Sequence, residues 1–109
     1  MGYAVRVPTP DGSLTDFTAK LKKSVTLEEL NSSFKTASQT NLKGILEYQV
    51  DPIVSNDIIG NPHSCIFDSL LTQIIPNDPT QIRVVGWYDN EWGYSNRVLD
   101  VSLRIGKTI

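Results

Sequence analysis

A β-branched apolar run, Ile82 to Gly86, is followed within a few residues by the helical spacing Tyr94, Val98, Val101 and Ile105. The apolar period changes from that of a strand to that of a helix, so the stretch between must join a strand end to a helix start. Its residues, Trp87-Tyr88-Asp89-Asn90-Glu91-Trp92-Gly93-Tyr94-Ser95-Asn96-Arg97-Val98, are aromatic and amide-bearing where a plain connection holds Gly, Ser or Asp. N–H groups at a helix start have no partner within the helix, and a rigid strand end presents them, so such a junction is a candidate site.

The same periodicities order the rest of the chain. Tyr3 to Val7 places Val5 and Val7 on one face and Ala4 and Arg6 on the other, predicting a first strand that Pro8 and Pro10 end. Asp11-Gly12 predicts a turn into a second strand, Leu14 to Leu21, and the two strands are expected to form a hairpin-like pair. Thr26 and Glu29 make a capping box ahead of Leu27, Leu30, Phe34 and Ala37, which predicts a helix stopped between Asn41 and Gly44. A third strand is expected over Gly44 to Val50, with turns at Asn56-Asp57 and Gly60-Asn61-Pro62. Periodicity alone reads Cys65 to Ile75 as two short strands or as one buried helix. A turn at Pro76 to Pro79, a last strand from Gln81 to Asp89 and a closing helix from about Trp92 to Gly106 complete the chain. The order predicts an α+β fold, an open and mostly antiparallel (mixed) sheet with helices on one face.

At 109 residues with 39% hydrophobic residues, the chain is enough for one small domain with a modest core. A net charge of -2 gives no footprint for nucleic acid, and Lys20, Lys22 and Lys23 read as a solvated strand end. No apolar run approaches the roughly 20 residues of a membrane span, and no signal peptide is visible at the N-terminus. The single cysteine cannot form an internal disulfide, which fits a reducing, cytoplasmic setting.

The junction resembles the C-terminal signature of phosphorylating glyceraldehyde-3-phosphate dehydrogenases. Gly2-Tyr3-Ala4-Val5-Arg6-Val7-Pro8-Thr9-Pro10, Ser13-Leu14-Thr15-Asp16, Leu42-Lys43-Gly44-Ile45-Leu46-Glu47-Tyr48 and Ser64-Cys65-Ile66-Phe67-Asp68 resemble that family's catalytic-domain motifs in the same order. The resemblance covers nearly the whole chain and favours two strands over Cys65 to Ile75. It implies a partial catalytic domain over residues 1–109, without the dinucleotide-binding (Rossmann) domain. It also implies a longer, cytoplasmic, homotetrameric parent that uses NAD and inorganic phosphate to oxidise glyceraldehyde 3-phosphate in glycolysis. Met1, directly before the Gly2 motif, suggests an engineered start or internal initiation.

Carried over residue by residue, the resemblance assigns Asn90 to the nicotinamide carboxamide, since an amide both donates and accepts. The plain alternative is that Asn90 caps the closing helix. Tyr94, one turn on, can back the same pocket or simply pack. Arg6 matches the family's phosphate-binding arginine, a role suited to a planar guanidinium; the alternative is an ordinary surface arginine. Ser64-Cys65 opens like the family's nucleophile motif but continues Ile66-Phe67-Asp68, so Cys65 is expected to be a structural thiol. His63, in a turn with no metal-ligand spacing around it, reads as a turn residue, and no metal site is expected.

An arginine–phosphate contact contributes about 1.5–3 kcal/mol and an amide contact about 1 kcal/mol, whereas millimolar affinity needs about 4 kcal/mol. The chain alone is therefore expected not to bind NAD measurably; the resemblance further implies that the family's nucleophilic cysteine, catalytic histidine and Gly-rich phosphate loop lie outside this chain, so neither dehydrogenase activity nor a catalytic residue of its own is expected. Two further expectations are a binding module for a host protein such as plasminogen or a complement component, and a stable core that self-associates through exposed apolar surface.

Overall fold

The computed structural model describes residues 2–109. In chain order it contains β1 (Ser13–Lys20), α1 (Leu27–Gln39), β2 (Leu46–Gln49), β3 (Cys65–Asp68), β4 (Gln73–Ile74), β5 (Gln81–Tyr88) and α2 (Asn90–Gly106). Single 3-10 turns stand at Ser55–Ile58 and Ser69–Leu71. β5 lies at the centre, antiparallel to β1 on one side and to β3 and β4 on the other, while β2 joins β3 in parallel. The result is the open mixed sheet of an α+β fold, in the order β1-β5-β3-β2.

The core forms where α1 covers the sheet. Residues opposite each other in a ladder share a face, and Phe67 stands opposite Gly86 and in register with Tyr48. Phe34 of α1 stacks on Phe67 with ring centroids 4.0 Å apart, and Tyr48 flanks it at 5.7 Å. Leu30, Leu46, Ile82 and Phe67 are buried. The helix starts where its sequence says, because Thr26 Oγ1 accepts from the Glu29 N–H at 3.1 Å and Glu29 Oε2 accepts from the Thr26 N–H at 2.8 Å. On the opposite face, Ile66 and Val85 are buried and the Trp87 indole donates to Asp68 Oδ2 at 3.0 Å.

Two sequence expectations are corrected. Tyr3 to Val7 forms no strand, and Leu14 to Leu21 makes no hairpin-like pair with it. A strand is stable only when its N–H and C=O groups find a ladder, and β1 pairs instead with β5, from Ser13 opposite Tyr88 to Lys20 opposite Gln81. Residues 2–9 form no regular element and are exposed, lining a groove together with β1. The closing helix begins at Asn90, ahead of the expected Trp92, because Asp89 caps it.

Cys65 to Ile75 does contain two strands, separated by a 3-10 turn whose Leu70 N–H donates to Asp68 Oδ1 at 3.1 Å. Gly12 makes the entry to β1 possible. Its φ of +90° favours glycine, and a Cβ there would lie 2.8 Å from the buried Ile58. No helix among the described residues is long and apolar enough to cross a membrane.

Candidate functional site

The strand-to-helix junction is built around Asp89, which is only 4% exposed. Its Oδ1 accepts from the Trp92 N–H at 3.0 Å, capping α2, and its Oδ2 accepts from the Gly60 N–H at 2.9 Å. One carboxylate thus fixes the helix start and the 60–64 loop together. Gly93 allows that approach, since a Cβ there would stand 2.9 Å from the His63 carbonyl oxygen. Arg97 adds a tether by donating to Ser64 Oγ at 3.1 Å.

Asn90 is therefore not the cap. It is the first helical residue, exposed, and its Oδ1 accepts from the Ser13 hydroxyl at 2.8 Å. With the oxygen so engaged, the Nδ2 donors face outward with no protein partner among the described residues. Tyr94, one turn on, is 72% exposed and packs on nothing broad. Arg6 lies on the irregular segment before β1, exposed and without an ion pair among the described residues. Tyr3, Arg6, Ser13, Leu14, Arg83 and Trp87 line the same groove of about 1240 Å³ along the edge of β1. No hydrogen bond joins Arg6 to Asn90 or Tyr94 among the described residues. Sequence reading missed the linkage of Asp89 to Gly60 and of Ser13 to Asn90. The first had a signal, an aspartate directly before a helix; the second joins residues too far apart in the chain to be read from it.

Charge at the junction is acidic. Carboxylate oxygens of Asp11, Asp89 and Glu91 lie within 4.8 Å of one another. The N–H groups of Gly60 and Trp92 hold the Asp89 carboxyl below its ordinary range against the effect of burial. The Gly12 N–H pulls Asp11 down too, but desolvation together with Asp89 and Glu91 outweighs it, so Asp11 lies above its ordinary range.

Cys65 is half-buried, with its sulfur 2.6 Å from where a Cβ on Gly86 would sit. Burial pushes its thiol up, the reverse of what nucleophilic attack needs. His63 Nδ1 lies 2.8 Å from Asn61 Oδ1 and 3.1 Å from Glu47 Oε2, all within its own loop and the adjacent strand.

A cofactor with a pyrophosphate is favoured by a free helix N-terminus. Here both long helices have carboxylates at that position, Glu29 on α1 and Asp89 with Glu91 on α2. Neither helix start is therefore free of acidic side chains, and the Asn90 Nδ2 donors have no protein partner among the described residues.

A family model described as glyceraldehyde 3-phosphate dehydrogenase, C-terminal domain, matches residues 1–90. The glyceraldehyde-3-phosphate dehydrogenase of Mycobacterium avium is 56% identical over 108 residues, 99% of this chain and 31% of that protein. That of Mycobacterium leprae is 55% identical over the same share, and glyceraldehyde-3-phosphate dehydrogenase 2 of Streptomyces avermitilis is 46% identical over 32% of its length. The chain spans about a third of the length of these relatives. It belongs to the glyceraldehyde 3-phosphate dehydrogenase family, within the C-terminal part of the catalytic domain.

Proposed function

We propose that this chain supplies one side of an NAD-dependent active site for glyceraldehyde 3-phosphate and inorganic phosphate, and that alone it neither binds NAD measurably nor turns over substrate. The observation that carries this is the contrast at the junction. Asn90 offers free amide donors to a carboxamide, while the α2 N-terminus that could hold a phosphate is closed by Asp89. In this reading, the dinucleotide-holding part lies in the two thirds of the relatives that the chain does not span. NAD, once held there, would accept the hydride; Asn90 would fix the nicotinamide's rotation, Tyr94 would back the ring, and Arg6 would bind a phosphate. Fluorescence or calorimetric titration of the chain with NAD is expected to show no saturation up to millimolar concentration. Micromolar binding would refute the reading.

Self-association is the second reading, favoured by exposed apolar residues on α2. Val98, Val101 and Ile105 are 47%, 56% and 55% exposed, along one side of the helix with Tyr94. In a homotetrameric parent such surface would be covered by other parts of the assembly; alone, the chain is expected to self-associate on concentration. A clean monomer by light scattering at high concentration would count against it. The plasminogen or complement reading has no particular surface in its favour.

A further inference from the structure

We infer that Asn61 is a positioning residue for the cofactor junction: its side-chain amide ties the 60–64 loop to Glu47 of β2, and the loop in turn holds Asp89 and the start of α2, which carries Asn90. The inference rests on the cofactor role proposed above for Asn90. On its helix side the loop meets α2 at three points, the Gly60 N–H on Asp89 Oδ2, the His63 carbonyl against Gly93, and Ser64 Oγ on Arg97. On its sheet side, backbone bonds fix the two ends, from the Asn61 N–H to the Ile58 carbonyl at 3.0 Å and from the Ser64 N–H to the Ile45 carbonyl at 2.9 Å. The Asn61 side chain holds the middle. Its Oδ1 accepts from the His63 N–H at 3.0 Å, and its Nδ2 donates to Glu47 Oε2 at 2.9 Å.

Both ends of this amide are committed. A backbone N–H can only donate and a carboxylate can only accept, so turning the amide over would set donor against donor and oxygen against oxygen. His63 Nδ1, 2.8 Å from the same Oδ1 and 3.1 Å from Glu47 Oε2, faces two acceptors and therefore carries a hydrogen. A loop pinned by Glu47 on one side and by Asp89 on the other passes a displacement at the first to the second.

Asn61→Asp tests this, because it keeps an acceptor for His63 and replaces the donor facing Glu47 by a second carboxylate oxygen. Two carboxylates so close cannot both stay charged, so the tether becomes a repulsion at neutral pH, relieved when the pair takes up a proton. Adding Glu47→Gln sets a donor opposite the new carboxylate and should remake the tether with its polarity reversed. In nuclear magnetic resonance spectra of the chain alone, Asn61→Asp should shift the Gly60 backbone amide and the Asn90 side-chain amide while α1 keeps its signals. Acidification to about pH 5 and the second substitution should each bring those signals back. Asn61→Ala removes both bonds without adding charge, so its shifts should respond to neither, and it carries the test if Asn61→Asp unfolds the chain. Unmoved Gly60 and Asn90 signals, or no recovery with Glu47→Gln, would overturn the inference.

In a full-length dehydrogenase carrying this segment, Asn61→Asp should raise the KM for NAD about five-fold, the worth of one hydrogen bond, with a smaller change in kcat. Recovery of that KM on adding Glu47→Gln is a pattern that a loss of stability alone would not produce. If Asn90→Ala raises the KM and Asn61→Asp does not, the positioning role is wrong and the cofactor role stands. If Asn90→Ala leaves the KM unchanged, the cofactor role fails and takes the inference with it.

Discussion

The two helices of this chain are equally well started and very differently used. α1 opens with the Thr26–Glu29 box, and α2 opens with Asp89 on the Trp92 N–H. Only α1 then lays its apolar side on the sheet, where Leu30 is buried and Phe34 stacks on Phe67. α2 is attached by its first turns, through Asp89, Gly93 and Arg97, and beyond them its apolar residues face solvent. Helix formation is a local matter of caps and spacing, whereas helix burial depends on what the rest of the fold supplies.

The contrast is tested most severely in the core. Phe67 is 2% exposed between Phe34 and Tyr48, so Phe67→Ala should lower unfolding free energy by about 3–5 kcal/mol in urea denaturation. Leu103→Ala on α2 should change it by less than about 0.5 kcal/mol, because that side chain is already half in water. Comparable losses at the two positions would mean that α2 is packed in solution.

Attachment of α2 is tested next. Gly-to-Ala within an exposed helix ordinarily stabilises by up to about 1 kcal/mol. At Gly93 the new Cβ would meet the His63 carbonyl at 2.9 Å, so Gly93→Ala should instead destabilise by about 1–3 kcal/mol. Hydrogen exchange should show the first turn of α2 and the 60–64 loop losing protection together while α1 keeps its own. A gain in stability would show that the loop yields freely.

Asp89 comes third. Asp89→Ala removes the cap and leaves the Gly60 N–H without its acceptor, for a loss of about 1–2 kcal/mol. The folded carboxyl lies below the ordinary value of 3.8, so folding favours its charged form. Its contribution is full above that value and is lost as pH falls through the lower, folded one. The stability gap between wild type and Asp89→Asn should therefore close on acidification below about pH 4. Asp11 has the opposite sign: raised in the folded state, it favours protonation and partly offsets the loss, so the transition should be steeper in Asp11→Asn. A gap that is flat with pH would remove the charge from the explanation.

These positions also show what the sequence could reveal. The α1 cap, the strands over β2 and β5 and the two-strand reading of Cys65 to Ile75 rest on neighbours in the chain or on family motifs, and the structure has them. Tyr3 to Val7 had the pattern of a strand, but a pattern cannot supply the ladder partner that a strand needs. At the junction the aspartate was in plain view and the asparagine drew the attention. Capping was open to either residue on type alone, and only the Trp92 N–H and the Gly60 loop decide for Asp89. Ser13 and Asn90 meet because β1 pairs with β5 in one register among several that the alternation permits.

The smallest expected effect on stability is the most informative about the exposed side of α2. Val101 sits 56% exposed between Val98 and Ile105, so Val101→Lys should leave the unfolding free energy within about 0.5 kcal/mol. If that stripe mediates self-association, a charge in its middle must be desolvated whenever two copies meet, and an unpaired buried ammonium is strongly disfavoured. Sedimentation should therefore show the variant remaining monomeric at concentrations where the wild type associates. Equal association of the two proteins would move the contact elsewhere, with the unpaired edge of β1 and the exposed residues 2–9 as the next surface to alter. A large loss of stability in the monomer would instead mean that Val101 is packed in solution, and the distinction drawn between the two helices would fail at its weakest point.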